Sequence, residues 1–363
     1  MNTPCNLPYF EVPVDKTGDF VNDSRPVVQT SDVLVMSHGW NNTMSDARSL
    51  YERFFTQLCQ AKGFDAKRFS VVGILWPSEK FADADEIPGG AAALNDPPAF
   101  VNSQLAQLPK GDADEEGMQE LFEMPGDELL ELLAQSPAAP RPDNDDGEGG
   151  AQGIFSGIGQ AARDLANVTT YYKMKDRAGI VGSKAVYEML NGIQTASPAV
   201  RIHLIGHSFG CRVVTSAAAK VSKPVASMTL LQAAFSQNSF SPDYDSKHKP
   251  GFFRDVITSE KVSGPILISH TAKDLAVGLA YAVASRIARQ NASAVGDAND
   301  PYGGLGRNGA QKTPEAVEGL LEDSNSTYSF GPKIYNLKAD TIIMAHGDIV
   351  KPEIANALVQ ATK

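Results

Sequence analysis

The pentapeptide Gly206-His207-Ser208-Phe209-Gly210 constrains this chain more than any other stretch, because of what flanks it. Before it runs the apolar Val200-Arg201-Ile202-His203-Leu204-Ile205, and after it the helix-favouring Cys211-Arg212-Val213-Val214-Thr215-Ser216-Ala217-Ala218-Ala219. A strand that turns directly into a helix holds the middle serine in strained backbone geometry. Gly206 and Gly210, without side chains, let strand and helix cross closely, so that the Ser208 hydroxyl projects into a cleft.

The rest of the chain supplies the sheet that such a turn requires. Short β-rich runs alternate with helical patterns, the signature of an α/β fold with a mostly parallel central sheet flanked by helices. Strands are predicted near residues 32–37, 70–75, 200–205, 227–231, 265–270 and 333–337, with an edge strand over 8–14. Residues 45–61 place Leu50, Phe54, Phe55 and Leu58 at helical spacing, which buries one face against the sheet; 178–193 reads the same way.

With 363 residues, 42% of them hydrophobic and 21% charged, the chain can build one large or two ordinary globular domains. A formal net charge of −11, with no basic stripe, argues against nucleic-acid binding but is compatible with contact at a membrane surface. Cys5, Cys59 and Cys211 are too few for a disulfide framework, so three thiols in a reducing compartment are expected. Charged Asp15, Lys16 and Asp19 stand where a signal peptide needs an apolar centre, and no run of 18 apolar residues occurs. A soluble cytoplasmic protein is the expectation, with export by a signal-independent route left open.

Between Trp76-Pro77 and about Asn167 the pattern breaks into acidic and Pro/Gly-rich stretches. The chain therefore reads as an N-terminal part of the core over 1–76, an insertion over 77–167 and a C-terminal part of the core over 168–363. Residues 118–135 carry Leu121, Phe122, Met124, Leu129, Leu130, Leu132 and Leu133, enough apolar surface for helices that cover a site as a lid, with 88–109 and 136–152 as flexible joints. The alternative is a surface insertion with no gating role. Farther on, Gly304-Leu305-Gly306-Arg307-Asn308-Gly309 satisfies a dinucleotide fingerprint only formally, since Asn299-Asp300-Pro301 precedes it and Lys312-Thr313-Pro314 follows, where a strand and a helix are needed. It reads as a glycine-rich loop near the rim of the site.

A serine hydroxyl is a poor nucleophile at neutral pH and needs a base, an acid to orient that base, and donors for the developing oxyanion. His346, in the loop after the last strand, is the candidate base. Asp274, in the loop after the run 265–270, is the candidate acid and completes the chain order Ser, Asp, His. Asp274 also reads as the N-cap of a helix over 275–289. His270 and Asp348 compete for these roles, Asp255 less strongly; His270 and His207 read as lining the substrate pocket.

Val33-Leu34-Val35-Met36-Ser37-His38-Gly39-Trp40-Asn41-Asn42 suits an oxyanion loop, with backbone N–H groups of Trp40 and Phe209 as donors. His38 and Gly39 support that loop. Asn41 reads as a substrate contact, or Asn41 and Asn42 as turn residues. No metal or other cofactor is expected: His203 and His207 are four apart, but across a strand and a turn and without the Glu of a helical zinc motif.

These residues resemble the α/β-hydrolase superfamily, specifically lipase and esterase-like members with a His-Gly-Trp oxyanion motif and a Gly-His-Ser-x-Gly elbow. The resemblance covers roughly residues 31–76 and 170–360. It implies a Ser208, Asp274, His346 triad on an eight-stranded or reduced sheet with a lid inserted after an early strand; the long acidic insertion and the short N-terminal region depart from the pattern. The implied function is a serine hydrolase that cleaves carboxylic esters through an acyl-enzyme. Alternatives are a lipase or phospholipase acting on membrane lipid as a toxin-like effector, and a noncatalytic binding protein on a hydrolase fold. Partners are then a small-molecule or lipid ester, with oligomeric state and natural substrate open.

Overall fold

The computed structural model describes residues 4–22, 25–40, 42–78, 170–274 and 303–363. Its centre is an eight-stranded sheet: β1 (Tyr9–Pro13), β2 (Asp32–Ser37), β3 (Phe69–Leu75), β4 (Arg201–His207), β5 (Ser227–Leu231), β6 (Ile266–His270), β7 (Ala316–Leu320) and β8 (Ile334–Lys338). The spatial order is β1-β3-β2-β4-β5-β6-β8-β7, and every neighbouring pair runs parallel. All eight carboxyl ends therefore open on one rim, where open α/β sheets place their ligands.

Alternation along the central strands explains the two layers of helices. Val33, Val35, Ile202 and Leu204 face one core, while Leu34, Met36 and Ile205 face the other. The second core is closed by α1 (Met44–Gln60) and by α4 (Pro352–Ala361). In α1 the expected Leu50, Phe54, Phe55 and Leu58 are buried, and the helix starts with a capping box: Thr43 Oγ1 accepts from the Asp46 N–H, and Asp46 Oδ2 accepts from the Thr43 N–H. The first core is covered by α3 (Phe209–Lys220) and by a longer helical stretch. That stretch is helical over 170–181, passes through a π-turn at Gly182–Val186 and continues as α2 (Tyr187–Ala196).

At the amino ends of the central strands, opposite the rim, Asp32 is buried and accepts from Arg201, Arg68 and His203. The same two arginines donate to the carbonyls of Thr362 and Lys363, which ties the end of α4 to the sheet.

Two expectations are corrected. Cys5 and Cys59 are not thiols but a disulfide that joins the N-terminal turn Pro4–Asn6 to the last turn of α1; Cys211 is free and buried. No strand is predicted between 270 and 333, yet the edge strand β7 lies there. The lid helices and joints expected within 77–167, the helix over 275–289 and Asn41 lie outside the described residues. No helix of the described residues is long and apolar enough to cross a membrane.

Candidate active site

Four strand ends deliver the expected residues to the rim. β4 ends at His207, and Ser208 follows with φ 56° and ψ −124°, a left-handed conformation that costs a non-glycine residue about 1–3 kcal/mol. The surrounding backbone holds it there: the Ser208 N–H donates to the Leu231 carbonyl, and the Ser208 carbonyl accepts from the Cys211 and Ala234 N–H groups. The close crossing expected of the flanking glycines is present. A Cβ on Gly210 would lie 2.1 Å from the Ser37 carbonyl oxygen, so only glycine lets α3 start against β2. Phe209 is the first residue of α3, and a helix gives its first N–H groups no carbonyl partner of its own, which suits them to a negative oxygen.

The loop after β2 runs directly past this serine, since a Cβ on Gly39 would come 2.6 Å from the Ser208 Cβ. His38 braces the loop. Its Nδ1–H donates to the Gly39 carbonyl, and its Nε2 accepts from the Trp76 backbone N–H. Burial lowers its pKa to about 4, so this histidine is neutral and cannot compete for the role of cation or base near pH 7. From behind, the Tyr51 hydroxyl of α1 accepts from the His38 N–H and donates to the Ile74 carbonyl. Asn42 adds side-chain bonds to the Gly39 and Trp40 carbonyls. Trp40 packs against Phe209 and Tyr171, with ring centroids 5.8 and 6.0 Å away.

β6 and β8 supply the remaining pair. Asp274 lies four residues past the end of β6 and is fully buried; its Oδ2 accepts from His346 Nδ1 at 2.9 Å. A carboxylate only accepts, so Nδ1 carries the proton and Nε2 is left to receive one. Burial pulls the His346 pKa down, and the charge and hydrogen bond of Asp274 more than offset this, so the value stands above that of an ordinary histidine. His346 retains 23% side-chain exposure and is reachable from the rim.

Asp274 has a further partner that sequence reasoning missed. Gln232, just past β5 and fully buried, donates its Nε2–H to Asp274 Oδ2 at 3.2 Å and to the Gly306 carbonyl, while Ser269 donates to its Oε1. The glycine-rich loop is thus stitched across the exits of β5 and β6: Gly306 N–H donates to Ala233, and the Gly306 carbonyl accepts from Thr271 N–H. Gly303 and Gly304, the latter paired with Ser236 by an isolated bridge, lead into its short helix Leu305–Asn308.

The other candidates fall elsewhere. His207, expected at the substrate pocket, turns inward, and its Nε2 bonds the His346 carbonyl. His270 is buried at the end of β6 with no hydrogen-bond partner for Nε2 among the described residues. Asp348 accepts from the Met344 N–H within the His346 loop, and Asp255 sits in the short helix Arg254–Thr258 before β6. Among the described residues no cluster of three His, Cys, Asp or Glu side chains could hold a metal ion.

A family model described as the alpha/beta hydrolase fold matches residues 155–259, the stretch that contains β4, Ser208, α3 and β5. No curated protein and no solved structure matches the chain. The strand-turn-helix around Ser208 lies inside that match, and the parallel sheet extends on both sides of it, so the match supports membership of the α/β-hydrolase superfamily, whose members are mostly hydrolytic enzymes.

Proposed function

We propose that the chain is a serine hydrolase that cleaves carboxylic esters through an acyl-enzyme. The observation that supports this reading is the Asp274–His346 hydrogen bond, on the same sheet rim as a serine held at φ 56°. Ser208 Oγ attacks the ester carbonyl while His346 Nε2 takes its proton, and the Asp274 carboxylate stabilises the resulting imidazolium. The carbonyl oxygen, now negative, accepts from the backbone N–H groups of Trp40 and Phe209. The tetrahedral adduct collapses, its C–O bond to the alcohol breaks, and His346 returns the proton to the departing alkoxide. Water then attacks the acyl-enzyme with His346 again as base, which releases the acid and restores the Ser208 hydroxyl.

The Cys5–Cys59 disulfide favours an oxidising space as the setting for this chemistry, against the cytoplasmic expectation. The test is intact-mass analysis after treatment with a fluorophosphonate. A single adduct on the wild type, and none on Ser208→Ala or His346→Ala, is the expected result. An adduct on Ser208→Ala would overturn the assignment of the nucleophile.

A further inference from the structure

His207 is a buried titratable side chain that the mechanism above does not use. It is 7% exposed, and its Nε2 lies 3.0 Å from the backbone carbonyl of His346. A carbonyl only accepts, so Nε2 carries the hydrogen and the bare nitrogen is Nδ1. Nδ1 has no hydrogen-bond partner among the described residues, and a Cβ on Gly39 would lie 3.2 Å from it. The His207 ring therefore fills the space between the loop that carries the base and the loop beside the oxyanion donors, while its own backbone leads directly into Ser208.

The base needs such a contact. His346 lies in an irregular loop between β8 and α4, and Asp274 fixes only its side chain. A ring pinned at Nδ1 alone still moves when its loop backbone moves, and reactions of this kind lose rate steeply with small displacements. A second hold, on the backbone carbonyl of the same residue, anchors that loop.

The proximity carries an electrostatic requirement as well. The two rings stand 5.1 Å apart, so a charged His207 would oppose the imidazolium that His346 becomes. Burial, together with repulsion from His346, lowers the His207 pKa to about 3, and the ring stays neutral wherever His346 works.

We propose that His207 is a positioning residue for the base: its Nε2–H fixes the backbone of His346, and its ring sets the spacing of the base loop from Gly39 and Ser208. This rests on the serine-hydrolase reading, with His207 acting through His346 rather than on the substrate.

The experiment uses the full chain. In the wild type, ¹⁵N-histidine NMR is expected to show His207 neutral and protonated on Nε2; a ring protonated on Nδ1 would overturn the proposal. His207→Gln keeps an N–H donor at a similar reach and is expected to react with fluorophosphonate close to the wild-type rate. His207→Phe keeps a ring without the donor and is expected to react about a hundredfold more slowly, with the His346 imidazole resonances shifted. A folded His207→Phe protein that reacts at the wild-type rate with unshifted His346 resonances would overturn it. If His207→Phe does not fold, the wild-type tautomer decides alone. If the wild-type Ser208 takes no label, the hydrolase reading fails, while the tautomer and the His346 resonances still decide the role of His207.

Discussion

Ser269 and Gln232 exchange two hydrogen bonds: the Ser269 hydroxyl donates to Gln232 Oε1 at 2.9 Å, and the Gln232 backbone N–H donates back to Ser269 Oγ at 3.3 Å. The direction of the whole chain follows. With Oε1 fixed on the serine, both Nε2 hydrogens must point at acceptors, one at the Gly306 carbonyl and one at Asp274 Oδ2. A flipped amide would set oxygen against both. Gln232→Leu removes this donor, leaves the Ser269 O–H without its acceptor, and leaves the Gly306 carbonyl with the Thr271 N–H alone. The expected result is a fall in kcat on a short p-nitrophenyl ester of roughly tenfold, the equivalent of one hydrogen bond, with stability lowered by about 1–3 kcal/mol in urea titrations.

The raised pKa of His346 predicts the acid side of the activity profile. The base must be unprotonated, so kcat/KM rises with pH through the folded-state pKa, and the midpoint is expected above the ordinary histidine value of about 6.5. Asp274→Asn removes the charge that raises it. The midpoint should then move to lower pH, and kcat should fall by about 10⁴-fold, since the ring also loses the acceptor that fixes its tautomer. Profiles of the two proteins on the same ester measure both effects; an unmoved midpoint would contradict the assigned role of Asp274.

Gly39→Ala tests how closely the oxyanion loop must approach. The added methyl would stand 2.6 Å from the Ser208 Cβ, far inside contact distance, so either the loop or the elbow must shift. Because the N–H donors proposed above ride on both segments, a loss of about a hundredfold in the fluorophosphonate reaction is expected. Circular dichroism should remain near that of the wild type, as the strain is confined to two turns.

Asp32 predicts a stability effect with no catalytic counterpart. Burial opposes its charge, but hydrogen bonds from His203, Ser31, Arg68 and Arg201 outweigh this and hold its pKa well below the usual carboxylate range. A depressed pKa stabilises the fold at pH values above that of the free carboxyl, about 3.9, and this contribution is lost as pH falls toward the folded-state value. Asp32→Ala leaves the arginines and His203 without their shared acceptor and should cost about 1–3 kcal/mol near pH 7, as the arginines stay partly solvated. Urea midpoints from neutral to acid pH should converge for the two proteins. The activity profile, set at the opposite end of the strands, should not move.

Reduction offers another measurement. The Cys5–Cys59 bond spans a sequence separation of 54, and loop-closure entropy for a loop of that size corresponds to about 4 kcal/mol. Cys59→Ser, or the wild type in strong reductant, should melt at lower temperature, and an unchanged melting point would show that the N-terminal turn contributes little to the fold.

The elbow was legible because its signal is local: two glycines, a serine, an apolar run and a helical run lie within twenty residues. Asp274 and His346 were legible through the order in which strand ends follow one another, since each stands in a loop after a β-rich run. Gln232, Ser269 and Tyr51 were not, because their meaning lies in bonds to residues distant in the chain, and nothing in their neighbours marks them. β7 escaped notice for a different reason. As an edge strand it leaves Val317 and Leu320 exposed and includes Gly319, so it lacks the apolar run that marked the buried strands. The Cys5–Cys59 pair illustrates the limit of counting cysteines, as pairing depends on which thiols the fold brings together.

The π-turn at Gly182–Val186 amounts to one surplus residue in an otherwise continuous helix. Removing one residue there would restore ordinary winding and turn everything upstream by about 100° around the helix axis. Tyr171, whose ring now lies 4.8 Å from that of Phe209, would swing off the elbow and take with it the aromatic wall shared with Trp40. A single inserted codon in such a helix is thus enough to change which side chains look onto Ser208, leaving the sheet as it is.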